Sequence, residues 1–302
     1  MSTIPRSAYA VSVQQEAADR AAARRRHLQE RTGKLFVFLL LILGAIITTL
    51  PFAWLVSTSL KSQAQVFTYP PEWIPDPILW SNYREALTAF PFGTYVRNTV
   101  IIAGFNVVGT LLTASLAAYG FARLRFPGRD FFFMMLLSTL MLPYAVILIP
   151  RYVEFRELGW LDSWLPLIVP NWFGGTAFYV FLLRQFFRTI PRELSDAARI
   201  DGASELRIYW QIILPLARPA LVVVAIFTFL EHWNDFLGPL IYLQSPEKFT
   251  VALGLSSFKG LFSTQWAYLM AASTVMTLPT ILLFFAAQRY FVRGIVLTGI
   301  KG

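Results

Sequence analysis

Glu231, His232, Trp233, Asn234 and Asp235 stand together inside, or at the outer end of, an otherwise apolar run. Ionisable side chains in such a run cost about 2.5–3.5 kcal/mol each at a bilayer centre, so they normally face a cavity or a partner. Carboxylates, an amide and an indole can bond hydroxyl groups and stack on the faces of a hydroxyl-rich solute. Glu231, Trp233, Asn234 and Asp235 are therefore candidates for a solute path or gate. The alternative is that they lie at the outer interface and only cap or pair locally; Gly238-Pro239 just beyond favours a break there. A histidine beside carboxylates also suits a metal, but the chain has only 2 histidines, His27 and His232. No metal site is expected. No cysteine is present, which removes thiol catalysis, disulfides and thiolate ligands. There is no Gly-x-x-x-x-Gly-Lys-[Ser/Thr] loop to cradle a nucleotide and no Gly-x-Ser-x-Gly elbow. Catalysis must come from another polypeptide, or there is none. The chain is expected to be no enzyme, with no catalytic residue and no cofactor of its own.

The second stretch of interest runs from Asp196-Ala-Ala-Arg-Ile-Asp-Gly202 to Ile212-Ile-Leu-Pro215. It is polar, lies between two apolar segments, and has Arg184, Arg188, Arg192, Arg199, Arg207 and Arg218 in or beside it. Its spacing predicts two short helices and a bend. Pro191 suits a first helical turn, where its missing N–H costs nothing. Glu193 and Asp196 follow near the positive end of that helix. Gly202 can end it in a left-handed conformation, and Ser204 can cap a second helix. That second helix should stop by Leu214, because Pro215 disfavours helical geometry before it. Leu194, Ala197 and Ala198 share one side, and adjacent alanines make a narrow surface that another protein could approach.

This row resembles the coupling loop of ABC importer permeases. Their pattern is Glu-Ala-Ala, three residues, Gly, nine residues, Ile, one residue, Leu-Pro. Asp196, Ala197, Ala198, Gly202, Ile212, Leu214 and Pro215 match at those spacings. Asp196 departs by standing where the pattern has Glu, which keeps the charge and shortens the reach. Arg199-Ile-Asp201-Gly-Ala203 is similar to the binding-protein-dependent sugar-uptake branch, the inner-membrane subunits of the MalG/UgpE type. The resemblance implies that residues 191–215 sit in a groove of a separate ATPase subunit. In such a groove Asp196 and Asp201 are expected to pair with cationic or amide groups of the ATPase, and Ala197, Ala198 and Gly202 to provide fit. The tail from Arg289, ending Gly299-Ile-Lys301-Gly302, resembles the tail that reaches the ATPase in the maltose-type subunit; otherwise it is an ordinary frayed end. As chemistry, Gly294 and Gly299 permit tight turns.

Composition agrees with a membrane setting. The chain has 302 residues, 56% hydrophobic and only 14% charged, against about a quarter charged in soluble domains. The apolar run from Leu35 to Val56 is 22 residues long. That is longer than the roughly 7–15-residue core of a secretory signal and enough to cross a bilayer. Further spans are expected near 98–122, 131–150, 164–187, 219–242 and 267–288. Trp54, Tyr95, Tyr152, Trp164, Trp266 and Tyr290 mark several ends. Counting Lys and Arg in alternate connections gives 19 on the side of both termini and the 184–218 loop, and 7 on the other. The bias puts the 19 in the cytoplasm. The net charge of +9 is thereby explained by orientation, and no nucleic acid is implied.

The domain reading is a basic cytoplasmic tail over 1–34, a first span with a proline-rich outer loop over 35–97, a permease core over 98–290, and a cytoplasmic tail over 291–302. Five prolines between Lys61 and Arg97 predict an extended, non-helical connection. It is either a shaped surface or a tied-down loop. Gly109, Thr113 and Ala117, with Ala114 and Ala118 beside them, form a small-residue stripe that lets helices pack closely in lipid. Pro143, Pro166, Pro170 and Gly174-Gly175 weaken the third and fourth spans. The fold class expected is an all-α membrane protein with six spans and a cytoplasmic coupling loop.

The function expected is the permease subunit of an ATP-driven importer for a sugar or sugar-like solute. The resemblance implies as partners a second homologous permease, an ATPase dimer carrying ATP and Mg, and an extracytoplasmic solute-binding protein. Its setting is the lipid of a bacterial cell membrane. The alternatives are a non-sugar solute (polyamine, amino acid) or a standalone secondary carrier, a class in which internal repeats are common; none is evident here.

Overall fold

The computed structural model describes residues 6–260 and 264–299, with side chains for 31–260 and 264–288. The regular structure among the described residues is helical, apart from one isolated bridge between Lys259 and Thr264. They divide into two units, residues 1–57 and 58–302. The first unit belongs to one helix, α1 (Arg6–Ser59), whose apolar part from Arg31 is long enough to span a membrane. Pro51 lies inside it.

Three further single helices are long and apolar enough to span: α3 (Phe92–Arg123), a helical stretch over Leu165–Thr189, and α14 (Trp266–Gly299) as far as Gln288. Two bent pairs complete the set. α4 (Arg129–Ser138), with a tight turn to Met141, meets α5 (Tyr144–Glu157) at 98°. The segment Glu205–Leu216 meets α11 (Arg218–Trp233) at 79°. Six spans result if each bent pair counts as one.

Several expectations need correction. The third span is not one helix over 131–150: it breaks before Pro143, whose ring keeps Leu142 extended, with φ −81° and ψ 112°. The fifth helix ends at Trp233, and a separate short helix α12 (Leu237–Tyr242) follows. The fourth span consists of a short helix α6 (Leu165–Ile168), a tighter turn to Phe173, two left-handed glycines and α7 (Ala177–Thr189). The loop after α1 is not wholly extended. α2 (Ser81–Ala89) forms in the proline-free window between Pro77 and Pro91. Asn82 holds it down by donating to the carbonyls of Ser59 and Lys61 at 2.9 and 2.8 Å. The tail is helical as far as Gly299, so Gly294 makes no turn. Lys301 and Gly302 lie outside the described residues.

α3 is the central helix. It packs against α7 and α11, and its small residues make that approach possible. Ala114 and Ala118 are fully buried against Val180, Leu183 and Val224. At Gly109 an added Cβ would lie 2.6 Å from the Trp172 indole nitrogen. Gly109→Leu should therefore overpack this contact, at a cost of about 1–3 kcal/mol. The expected result is a thermal midpoint in detergent several degrees lower, read by fluorescence-detected gel filtration. An unchanged midpoint would refute the close approach.

At the other end, α3 holds the segment before α13 (Val251–Leu255). Asn98 donates to the carbonyls of Glu247 and Phe249, and the Val251 N–H donates to Thr99 Oγ1 at 2.8 Å. Asp162 ties the same segment to the α5–α6 connection. It has φ +54°, and its carboxylate accepts from Gln244 N, Ser245 N, Ser245 Oγ and Lys248 Nζ. The Lys248 hydrogen bond, then those of Ser245 and Gln244, hold its carboxyl well below the usual range. A depressed value means the clasp is present above the ordinary aspartate value of about 4 and is lost only as pH falls through the lower folded one. Amide exchange at Gln244 and Ser245, corrected for intrinsic rate, should then be equally slow from pH 8 to pH 5. Asp162→Ala should speed it at least tenfold; an unaltered rate would dismiss the clasp.

Candidate coupling surface and transmembrane cavity

The two-helix design of 192–216 forms. α8 (Arg192–Ile200) ends at Gly202, which has φ +79°. The Gly202 N–H donates to the Arg199 carbonyl at 3.0 Å, and the Ala203 N–H to the Ala198 carbonyl at 2.9 Å. This pair of bonds is the Schellman closure that a left-handed residue makes possible. Ser204 caps α9 (Glu205–Ile208) by accepting from the Arg207 N–H. Pro191 sits one residue before the helix, as its cap, not in its first turn. Pro215 does not stop the second helix at Leu214. The backbone widens into a π turn over Tyr209–Ile213 and continues as α10 (Leu214–Leu216), so the break falls at Ala217. A π turn takes in an extra residue and shifts the bonding register, and the proline, which lacks an N–H, follows immediately.

The module has two faces. Inward, Ile208, Tyr209 and Ile213 are buried in one core with Ala118 and Tyr119 of α3, Leu183 and Phe187 of α7 and Val224 of α11. Ala198, Ile212 and Leu214 are half-buried against that core. Ala198 is therefore packing, not part of an outward surface shared with Ala197. Outward, Ala197, Asp201, Gly202 and Pro215 are exposed. Leu194, Ile200, Leu206 and Trp210 are exposed as well, Ile200 at 87%. Leu194, Ala197 and Ile200 recur at a spacing of three along α8.

Polar contacts bind the module to itself and to α3. Arg199 donates to Asp196 Oδ1 at 2.6 Å and to Glu205 Oε1 at 2.7 Å, joining the two helices. Tyr119 donates to Glu205 Oε2 at 2.6 Å, and Tyr209 and Ser115 hydroxyls meet at 2.7 Å. Arg123, the last residue of α3, donates to the carbonyls of Phe187 and Ile190 just before α8. Asp196 is thus engaged within the chain. Tyr119, Ser115, Tyr209 and Arg123 carry no spacing that sequence reasoning could single out, since their partners are 64 to 94 residues away.

A cavity of about 480 Å³ lies between α5, the α6–α7 break and the end of α11, with Arg151, Asn171, Glu231, His232 and Asp235 among its walls. Glu231 accepts from the Tyr179 hydroxyl at 2.8 Å. Asn171 donates to Asn106 Oδ1 at 2.9 Å and lies 3.3 Å from His232 Nε2. An amide N–H pointing at Nε2 requires a lone pair there, so it favours the neutral imidazole with its proton on Nδ1. Asp235 accepts from the Gly238 N–H at 3.1 Å, which starts the turn into α12. Trp233 and Asn234 do not line the cavity. Trp233 is 2% exposed, is stacked with Phe229, and donates to the Met276 carbonyl of α14 at 3.0 Å. Asn234 is exposed and caps its own helix through the Leu230 carbonyl. Among the described residues no group of three or more acidic, His or Cys side chains is placed to hold a metal.

Residues 109–297 match the family model described as binding-protein-dependent transport system inner membrane component. The chain belongs to that family. It is an ABC importer permease, a transport component and not an enzyme. It is 36% identical over 279 residues to the sn-glycerol-3-phosphate transport system permease protein UgpE of Yersinia pestis, covering 89% of this chain and 98% of that one. It is 32% identical over 274 residues to the probable ABC transporter permease protein YurM of Bacillus subtilis, covering 89% of each. Among solved structures, a chain of a bacterial ABC transporter involved in import of the acidic polysaccharide alginate aligns with a TM-score of 0.76. That alignment has 26% identity and covers 87% of this chain and 98% of that one. The six-span helical fold is thereby that of an importer permease.

Proposed function

We propose that this permease is one of two transmembrane halves through which a sugar or sugar-like solute enters the cell. Separate ATPase subunits carrying ATP and Mg drive it, and an extracytoplasmic binding protein delivers the solute. The observation that carries the reading is the two-faced module of 192–216. Its outward row of Leu194, Ala197, Ile200, Leu206 and Trp210 is apolar and exposed, and its inward face shares one core with three spans. A push on the outer row therefore moves α3, α7 and α11 together, because packed cores transmit displacement and do not absorb it. The arginine and lysine bias supports a cytoplasmic side for that row and both termini. The solute class is supported by the names of the relatives, glycerol-3-phosphate for one and alginate for another. The cavity's carboxylates, amide and Arg151 suit a hydroxylated solute.

The test is cross-linking. Cysteine introduced at Ala197 should join to a cysteine in the ATPase groove in membranes, and labelling of position 197 should be blocked by that subunit. Labelling from the outer face would sink the reading.

A further inference from the structure

We propose that a pocket beside α8 binds a phosphate-class oxyanion and that its occupancy regulates coupling. The pocket, about 620 Å³, lies between α8 and the α3–α4 turn. Four arginines line it: Arg123, Arg125, Arg192 and Arg199. Its two carboxylates, Asp196 and Glu205, both accept from Arg199. Four guanidinium charges against two carboxylates leave the pocket with a net charge of two positive, and Arg123, Arg125 and Arg192 are not paired with either carboxylate. Two buried polar groups on its wall lack a partner. Ser195 is 2% exposed, and its Oγ makes no hydrogen bond. Arg123 Nε is also buried and unbonded, while the same guanidinium is pinned by the carbonyls of Phe187 and Ile190.

Unmet donors at the wall of a cationic pocket fit an acceptor-only ligand. Arginine forks match the oxygens of phosphate in pairs, and the first turn of α8, where Arg192 and Ser195 lie, adds N–H groups and the positive end of a nine-residue helix. The volume exceeds that of a bare phosphate, so an ester carrying a small polar body also fits. Arg192 and Ser195 belong to α8, whereas Arg123 and Arg125 belong to the end of α3 and the turn after it. An anion between them joins the coupling helix to the central span. A ligand that prefers one arrangement of those two elements shifts the equilibrium between them. The regulatory half of the proposal rests on the coupling role argued above; the binding half does not.

The experiment uses the assembled importer in nanodiscs, with ATP hydrolysis followed by ADP release. Inorganic phosphate is titrated against chloride at constant ionic strength, in discs of phosphatidylcholine alone and in discs containing phosphatidic acid. The expected result is that millimolar phosphate raises the thermal midpoint and changes solute-stimulated hydrolysis at least threefold. Arg192→Gln with Ser195→Ala should erase both responses, and Arg188→Gln, outside the pocket, should keep them. A response to free phosphate assigns a cytosolic ligand. A response that appears only with phosphatidic acid, and is lost in the same variant, assigns a lipid headgroup. A shifted midpoint with unchanged hydrolysis keeps the site and overturns its regulatory role. No variant-sensitive response to either anion overturns the proposal, as does an acidic side chain of the ATPase found seated in the pocket.

Discussion

Ala197→Trp is expected to reduce solute-stimulated ATP hydrolysis at least tenfold while leaving the amount of permease in the membrane unchanged. Ala197 is exposed between Leu194 and Ile200 on the outward row. Its small size matters only if something must approach it closely. The position is exposed, so an indole there can project outward and folding should be indifferent. Docking of a rigid partner groove should not be, and a tenfold loss corresponds to only about 1.4 kcal/mol. Gly202 provides an independent arm. Nothing lies within 4 Å of an added Cβ, so no clash arises, but its φ of +79° is unfavourable for any residue with a side chain. Gly202→Val should therefore act through the backbone, costing about 1–2 kcal/mol and opening the Schellman closure. Gly202→Asn should be far milder, because asparagine tolerates that region. Measured side by side, Val severe and Asn mild would show that the angle between α8 and α9 is what coupling needs. Equal coupling in Ala197→Trp and the parent would end the docking account.

How much of this could be read in the sequence depends on the range of the interaction. Gly202, Ser204 and the alanine stripe of α3 act through local backbone geometry or through one helix's own surface, and their spacing announced them. Pro215 misled because a local rule was applied where the chain had another route: a π turn lets the helix pass the proline. Ala198 was placed outward by adjacency to Ala197, but neighbours on a helix point about 100° apart, and the core took one of them. The same geometry removed Trp233 from the cavity. Glu231, His232 and Asp235 line the cavity, and Trp233 turns back to α14. The 98° bend at Pro143 was visible as a weakness but not as an angle, which depends on packing. The ties that make the module rigid, from Tyr119 to Glu205 and from Ser115 to Tyr209, join residues far apart in sequence. A single sequence holds no signal for them.

Glu231→Gln should lower solute uptake at least tenfold with little loss of stability, and Tyr179→Phe is the control that gives this meaning. The Glu231 carboxylate accepts from Tyr179 at 2.8 Å and also lines the cavity. Glutamine keeps an oxygen for that hydroxyl and keeps the shape; only the charge and one acceptor go. If Glu231 serves only to hold α7 against α11, the amide should do so nearly as well and Tyr179→Phe should be the damaging change, at about 0.5–1.5 kcal/mol for the lost hydrogen bond. If the carboxylate receives solute hydroxyls, the order reverses. Losing a polar contact that a site is built to make costs more than losing an apolar one, since the partner group is then left buried and unpaired. Asp235 separates the two cases further. It already accepts from the Gly238 N–H, so Asp235→Ala removes an acceptor that starts a helix, and its loss should appear in stability before transport. Uptake and thermal midpoint measured on all three variants therefore assign each wall of the cavity to the solute or to the scaffold. Unchanged uptake in Glu231→Gln would return that residue to the scaffold.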